Sequence, residues 1–148
     1  MALSSAIRSR ITLFASRSEV MDKLLDLTLM PKWCSSIEKC EEISTKEIGV
    51  GSRCKIESVL LGRTLFHEVE ITKFIPETIC SIESYSGPIP FRLNFSLEPI
   101  GSGTLLLIEY QLDFSSFGSL VEKIAFDMAT AQIEKDLVNL KNLVESSR

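Results

Sequence analysis

His67 is the only histidine in the chain, so it is the one side chain whose ordinary pKa lies near neutrality. It stands in Leu65-Phe66-His67-Glu68-Val69-Glu70-Ile71. Alternation puts its ring on one face with Leu65, Val69 and Ile71, and puts Glu68, Glu70 and Thr72 on the other. An imidazole among apolar neighbours has three readings. It is held by nearby backbone or by Tyr110, or it anchors a ligand, or it acts as a general base with a tuned pKa. Nucleophilic catalysis would need an activated nucleophile and an orienting acid beside it, and no G-x-S-x-G elbow occurs. His67-Glu68 begins like a zinc-protease helix, but the second histidine is missing. Glu68 and Glu70 are paired carboxylates on a solvent face, where they are expected to meet Lys55 or Arg92 across strands rather than do acid–base work. No residue is assigned a catalytic role.

The four cysteines, Cys34, Cys40, Cys54 and Cys80, form no C-x-x-C pair, so no metal site is expected. They read as buried free thiols, with a Cys34–Cys40 disulfide or a reactive thiol as the alternative. Gly49-Val50-Gly51 and Gly101-Ser102-Gly103 are not placed between a strand and a helix and lack the trailing Gly-Lys-Ser/Thr of a phosphate loop, so they read as hairpin turns. No cofactor is expected.

These groups must be positioned by a small fold. A chain of 148 residues with 45% hydrophobic content supports one domain, 1–148, with a substantial core. The net charge of -4 argues against a nucleic-acid partner. No apolar run approaches the roughly 20 residues of a membrane helix. Arg8 and Arg10 are followed by too short an apolar segment (11–15) for a signal-peptide core. A cytoplasmic location without integral membrane contact is expected.

Spacing predicts a strand over 9–13 and a helix over 19–27, capped by Ser16 or Ser18, with an apolar face of Val20, Leu24, Leu25 and Leu27. Pro31 punctuates, and a second short helix is predicted over 32–36. Strands follow over 37–44, 54–58, 64–74, 78–85, 91–97 and 104–114. Turns at 49–51, 61–62, 75–77, 86–88 and 99–103 make them consecutive hairpins. Phe91, Leu93, Phe95 and Leu97 share a face, as do Leu106, Ile108, Tyr110 and Leu112, which gives a sheet one dry side. Residues 117–148 then read as one amphipathic helix with a stripe of Phe126, Ala129, Ile133, Leu137, Leu140 and Val144. Its small residues, Ala129 and Thr130, leave room beneath it. Val121, Ile124 and Met128 form a second apolar strip.

This order of elements resembles the START-like superfamily, which includes the polyketide cyclase/dehydrase and lipid-transport proteins and the birch-pollen-allergen-like proteins. The resemblance covers nearly the whole chain. It rests on Val20, Asp26 and Pro31-Lys32-Trp33, on Gly49-Val50-Gly51, on Gly101-Ser102-Gly103-Thr104, and on the ending Leu137-Val138-Asn139-Leu140-Lys141-Asn142-Leu143-Val144-Glu145. It implies an α+β helix-grip fold: a seven-stranded antiparallel sheet wrapped around a long C-terminal helix, with two short helices after the first strand. It also implies that the Trp33 region borders a cavity between sheet and helix.

The expected lining comprises Trp33, Ile56, His67, Val69, Leu93, Phe95, Tyr110, Glu122, Phe126, Ala129, Thr130 and Ile133. Tyr85 is a further candidate hydroxyl. The expected function is binding or transport of a small hydrophobic ligand (a lipid, isoprenoid or polyketide-like molecule) by a monomer or weak homodimer. Two alternatives stay open. One is a cyclase/dehydrase-type enzyme with His67 and Tyr110 as its acid–base pair. The other is an interaction module using the Val121, Ile124 and Met128 strip.

Overall fold

The structure is a computed structural model that describes residues 5–43 and 47–146. The elements run β1 (Ser5–Leu13), α1 (Arg17–Leu24), α2 (Met30–Trp33), β2 (Ile37–Glu42), β3 (Arg53–Leu60), β4 (Arg63–Ile75), β5 (Ile79–Ser86), β6 (Phe91–Ile100), β7 (Gly103–Leu112) and α3 (Ser119–Glu145). The strands form one antiparallel sheet in the order β1-β7-β6-β5-β4-β3-β2. This is the α+β helix-grip arrangement the sequence implied, with α3 packed into the curl of the sheet.

Local chemistry explains where the boundaries fall. Ser16 accepts the Glu19 N–H and Glu19 reaches back to the Ser16 backbone, a capping box that starts α1 two residues before the predicted point. α1 also stops earlier than 27. Asp26 Oδ1 accepts both the N–H (2.9 Å) and the hydroxyl (2.6 Å) of Thr28, a local turn that competes with the helix. α2 begins before Pro31 rather than after it, because proline fits the first helical turn, where its missing N–H would have no partner. Extended backbone at Cys34 ends it, so the predicted stretch to Ser36 is not helical. β2 ends at Glu42, short of the predicted 44, and Ser44 lies outside the described residues. β6 runs through Pro99 to Ile100 where a turn was expected. The proline is tolerated because β5 stops opposite Ser96 and leaves β6 an edge there.

Two bulges in the β4–β5 ladder curl the sheet, and a third interrupts β2 between Ile37 and Lys39. Ile71 pairs with Ile82 but Lys73 pairs with Ser81, so Thr72 is an extra residue in β4. Tyr85 is the corresponding extra residue in β5, between Ser84 and Ser86. A bulge bends its strand and increases local twist. The one at Thr72 also resets the alternation, so that Phe74 turns inward.

α3 has two halves. Ala125, Ile133, Leu137, Leu140 and Val144 are buried in the core with Leu13, Val20, Leu24, Leu97 and Leu106. The C-terminal half is also tied to β1: the Phe14 N–H donates to Glu145 (2.9 Å), Lys141 donates to the Thr12 carbonyl (3.1 Å), and Ser9 donates to Glu134 (3.0 Å). Toward its N-terminus, Leu120, Ile124 and Met128 are exposed. A helix of 27 residues spans about 40 Å. One half is therefore an anchor, and the other overhangs the sheet.

Candidate functional site

The overhang covers a cavity of about 740 Å³ between α3, the inner face of the sheet and the α1–α2 segment. Its walls are mainly aliphatic and aromatic. Leu65, Val69 and Ile71 come from β4, Leu93 and Phe95 from β6, Ile56 and Leu60 from β3, and Ala129 and Ile133 from α3. Alternation brings the strand residues together, since each lies on the inward parity of its strand, and Ile56 pairs directly with His67 across β3 and β4. Leu25, Leu27 and Met30, from the segment around α2, close another side.

His67 lines this cavity and is 5% exposed. Its Nε2 accepts the backbone N–H of Ile89 at 3.1 Å, so the proton of the neutral ring belongs on Nδ1. Burial pushes its pKa below the usual histidine value. Gly87 allows the 86–90 loop to press on the ring. It has φ +127°, and a Cβ there would lie 2.2 Å from Cδ2 of His67. Phe91 stands edge-on between His67 and Tyr110, with centroids at 5.7 and 5.6 Å. Tyr110 lines the cavity, and burial pushes its phenol well above the ordinary value, reinforced by Cys34 and Asp136 nearby. Both groups therefore stay uncharged near neutral pH.

A polar corner lies where α2 meets α3. Asp136, 8% exposed, accepts three hydrogen bonds on Oδ1: from the Ser35 N–H (3.1 Å), the Ser35 hydroxyl (3.2 Å) and Gln132 (2.9 Å). Gln132 also donates to the Ser35 hydroxyl. Burial raises the Asp136 pKa against these stabilising bonds. Trp33 and Cys34 line the cavity beside it. Burial holds the Cys34 thiol well above its ordinary pKa. The Trp33 Nε1–H is buried without an acceptor among the described residues.

Of the residues named from sequence, Trp33, Ile56, His67, Val69, Leu93, Phe95, Tyr110, Ala129 and Ile133 line the cavity. Glu122, Phe126 and Thr130 do not. The cavity side of α3 is set by Met128, Ala129, Gln132, Ile133 and Asp136. At about 100° per residue, Phe126 and Thr130 point roughly a quarter turn or more away from it. Thr130 donates back to the Phe126 carbonyl, and Phe126 packs against the core. Glu122 has the right angle, but it stands about 9 Å up the helix axis from Met128, ahead of the cavity. Tyr85 lies on the convex face, with the Arg53 guanidinium 4.6 Å from its ring centroid. Glu70 pairs with Arg53 at 2.8 Å rather than with Lys55 or Arg92, while Glu68 stands opposite Lys55 as expected.

Sequence reasoning missed Asp136, Gln132 and Ile89. Asp136 carried a signal, because it falls on the apolar spacing Ala129, Ile133, Leu137, Leu140 and is a carboxylate on a buried face. Ile89 sits between two prolines among turn residues, and no period marks it. The four cysteines are free thiols, and Cys34 and Cys40 form no disulfide.

The fold has solved counterparts. The protein TTHA0849 from Thermus thermophilus is 18% identical with a TM-score of 0.83, covering 97% of this chain and 99% of that one. A START superfamily protein from Mycobacterium smegmatis is 17% identical with a TM-score of 0.79, covering 98% and 100%. The major latex-like protein 151 of Panax ginseng is 12% identical with a TM-score of 0.68, covering 99% and 98%. At such identities the likeness shows the fold alone. No curated protein matches the chain. A family model described as polyketide cyclase / dehydrase and lipid transport matches residues 5–145. With nearly its whole length matched and the helix-grip architecture in place, the chain belongs to the polyketide cyclase/dehydrase and lipid transport family.

Proposed function

We propose that this protein binds, and thereby carries, a small and largely apolar molecule of the lipid, isoprenoid or polyketide-like class in the cavity beneath α3. The observation that carries this reading is the cavity itself: about 740 Å³, walled by aliphatic and aromatic side chains with a few convergent polar groups. That is the usual size and composition of a small-molecule site. Phe91, Phe95 and Trp33 sit in its walls and do not fill it.

Acid–base catalysis by His67 and Tyr110 draws less support. The Nε2 lone pair that would take a proton is already occupied by the Ile89 N–H. Phe91 stands between the two groups, and the phenol is pushed away from neutrality.

Native mass spectrometry of gently purified protein, with thermal melting across a lipid panel, tests the proposal. A ligand at a hundred times its Kd should stabilise the fold by about 2.7 kcal/mol. A retained mass or a raised melting temperature is expected. An empty protein whose melting no lipid shifts would overturn it.

A further inference from the structure

We infer that His67 reads the ligand: its Nδ1–H is a fixed donor that selects an apolar molecule carrying a neutral carbonyl oxygen, as in a ketone, aldehyde or ester. The inference rests on the ligand-binding reading above and narrows it to a chemical class.

The direction of the hydrogen bond follows from the loop against the ring. Nε2 accepts the Ile89 N–H at 3.1 Å, and a ring nitrogen that accepts carries no proton. The neutral ring therefore keeps its proton on Nδ1. Burial disfavours the charged ring, which would also set a second N–H against that of Ile89. Backbone thus fixes the tautomer. Gly87 lets the loop press on the Cδ2 side of the ring, where its Cβ would lie 2.2 Å away.

Nδ1 is also within reach of a ligand. It has no hydrogen-bond partner among the described residues. Among them, Trp33 Nε1 is the one sealed side-chain nitrogen or oxygen without a partner. Nδ1 is therefore not sealed, although His67 as a whole is 5% exposed. The ring stands on the inward face of β4 opposite Ile56 and lines the cavity, so the surface left to Nδ1 is cavity surface.

An N–H that faces apolar space lacks the bond it would make in water. A carbonyl oxygen restores that bond and brings no donor of its own to be matched. Other heads fit less well. An ammonium only donates, so it would set donor against donor. A carboxylate accepts, but it carries a charge into an apolar cavity. Arg53, the one cation on the lining among the described residues, already pairs with Glu70 at 2.8 Å. An alcohol accepts, but its own O–H must also find an acceptor. The Tyr110 hydroxyl gives or takes, so it does not discriminate.

The chain has one histidine, so its imidazole signals in a long-range proton–nitrogen NMR spectrum need no assignment. Methyl undecyl ketone and tridecane, two ligands of one chain length, are first shown to bind by displacing Nile red, a neutral apolar dye. The free protein should show the Nδ1–H tautomer. The ketone should move the Nδ1–H proton downfield, and tridecane should not. In His67→Phe the preference for ketone over tridecane should fall about fivefold, the effect of one neutral hydrogen bond. Melting shows whether this variant is folded, and the wild-type spectra decide the question without it. A ring protonated on Nε2, a ketone that displaces the dye but leaves Nδ1–H unmoved, or an undiminished preference in the folded variant would each overturn the donor inference while the cavity reading stands. If neither the dye nor either ligand binds, both fail.

Discussion

The backbone N–H of Ile89 donates to Nε2 of His67 over 3.1 Å, holding the only histidine of the chain as a neutral ring in a cavity wall. A buried imidazole is often read as a base. Here the lone pair is spent on the loop that follows β5, and Gly87 makes the approach possible.

Gly87→Ala should therefore be far more disruptive than a surface loop change. The new residue would sit at φ +127° with its Cβ 2.2 Å from the His67 ring. Backbone strain and the clash together should cost about 3 kcal/mol. The urea midpoint measures this, and an unchanged midpoint would mean that the loop does not press on the ring.

Burial of the same ring sets a pH dependence. Burial lowers the folded-state pKa of His67 below its ordinary value of 6.5. Between the two values the unfolded chain binds more protons, so stability rises with pH there. The contribution of His67 is thus complete above 6.5 and is lost as the pH falls through the lower folded value. Compared between about pH 8 and pH 5, the stability advantage of wild type over His67→Gln should shrink on acidification. A constant difference across that range would refute the assignment.

Ala129 lines the cavity and Thr130 does not. Ala129→Leu should fill space under α3 and weaken Nile red binding at least about tenfold, while melting holds or improves as apolar contact is gained. Thr130→Val should leave dye binding within about twofold. Fluorescence titration of the two variants distinguishes them. Equal effects would mean that α3 is rotated from the orientation described.

The thiols should be slow to react. Burial pushes Cys34 well above its ordinary pKa, Cys40 to about 12, and Cys54 and Cys80 to about 11. The thiolate is the nucleophile, so native protein at about pH 8 should label with a disulfide reagent orders of magnitude more slowly than protein in denaturant. A fast native phase would reveal a thiol that opens to solvent.

Much of the fold was legible because its signals are local. The alternation around His67 placed the ring inward, and the hairpin glycines set the strand order. The helical spacing of Ile133, Leu137 and Leu140 identified α3. The errors lie where a second interaction overrides the period. Asp26 captures Thr28 and shortens α1, Thr72 drops out of register and turns Phe74 inward, and Phe126 shares the stripe of α3 but faces the core. Asp136 was passed over because apolar periodicity marks carboxylates as solvent-facing, whereas Ser35 and Gln132 hold this one inside. Those partners are contributed by tertiary structure, and no spacing along the chain announces them.

The pairing of β1 with β7 has a consequence for how the chain reaches this shape. Ser5 registers with Leu112 and Leu13 with Thr104, so the first strand of the sheet pairs with its last in chain order. The hairpins from β2 to β7 can zip as neighbours emerge, but β1 must wait with its edge unpaired. Closing so long a loop is entropically expensive and slow. The sheet should thus assemble from the middle outward, with the N-terminal strand among the last to dock and the most exposed to misassociation during synthesis.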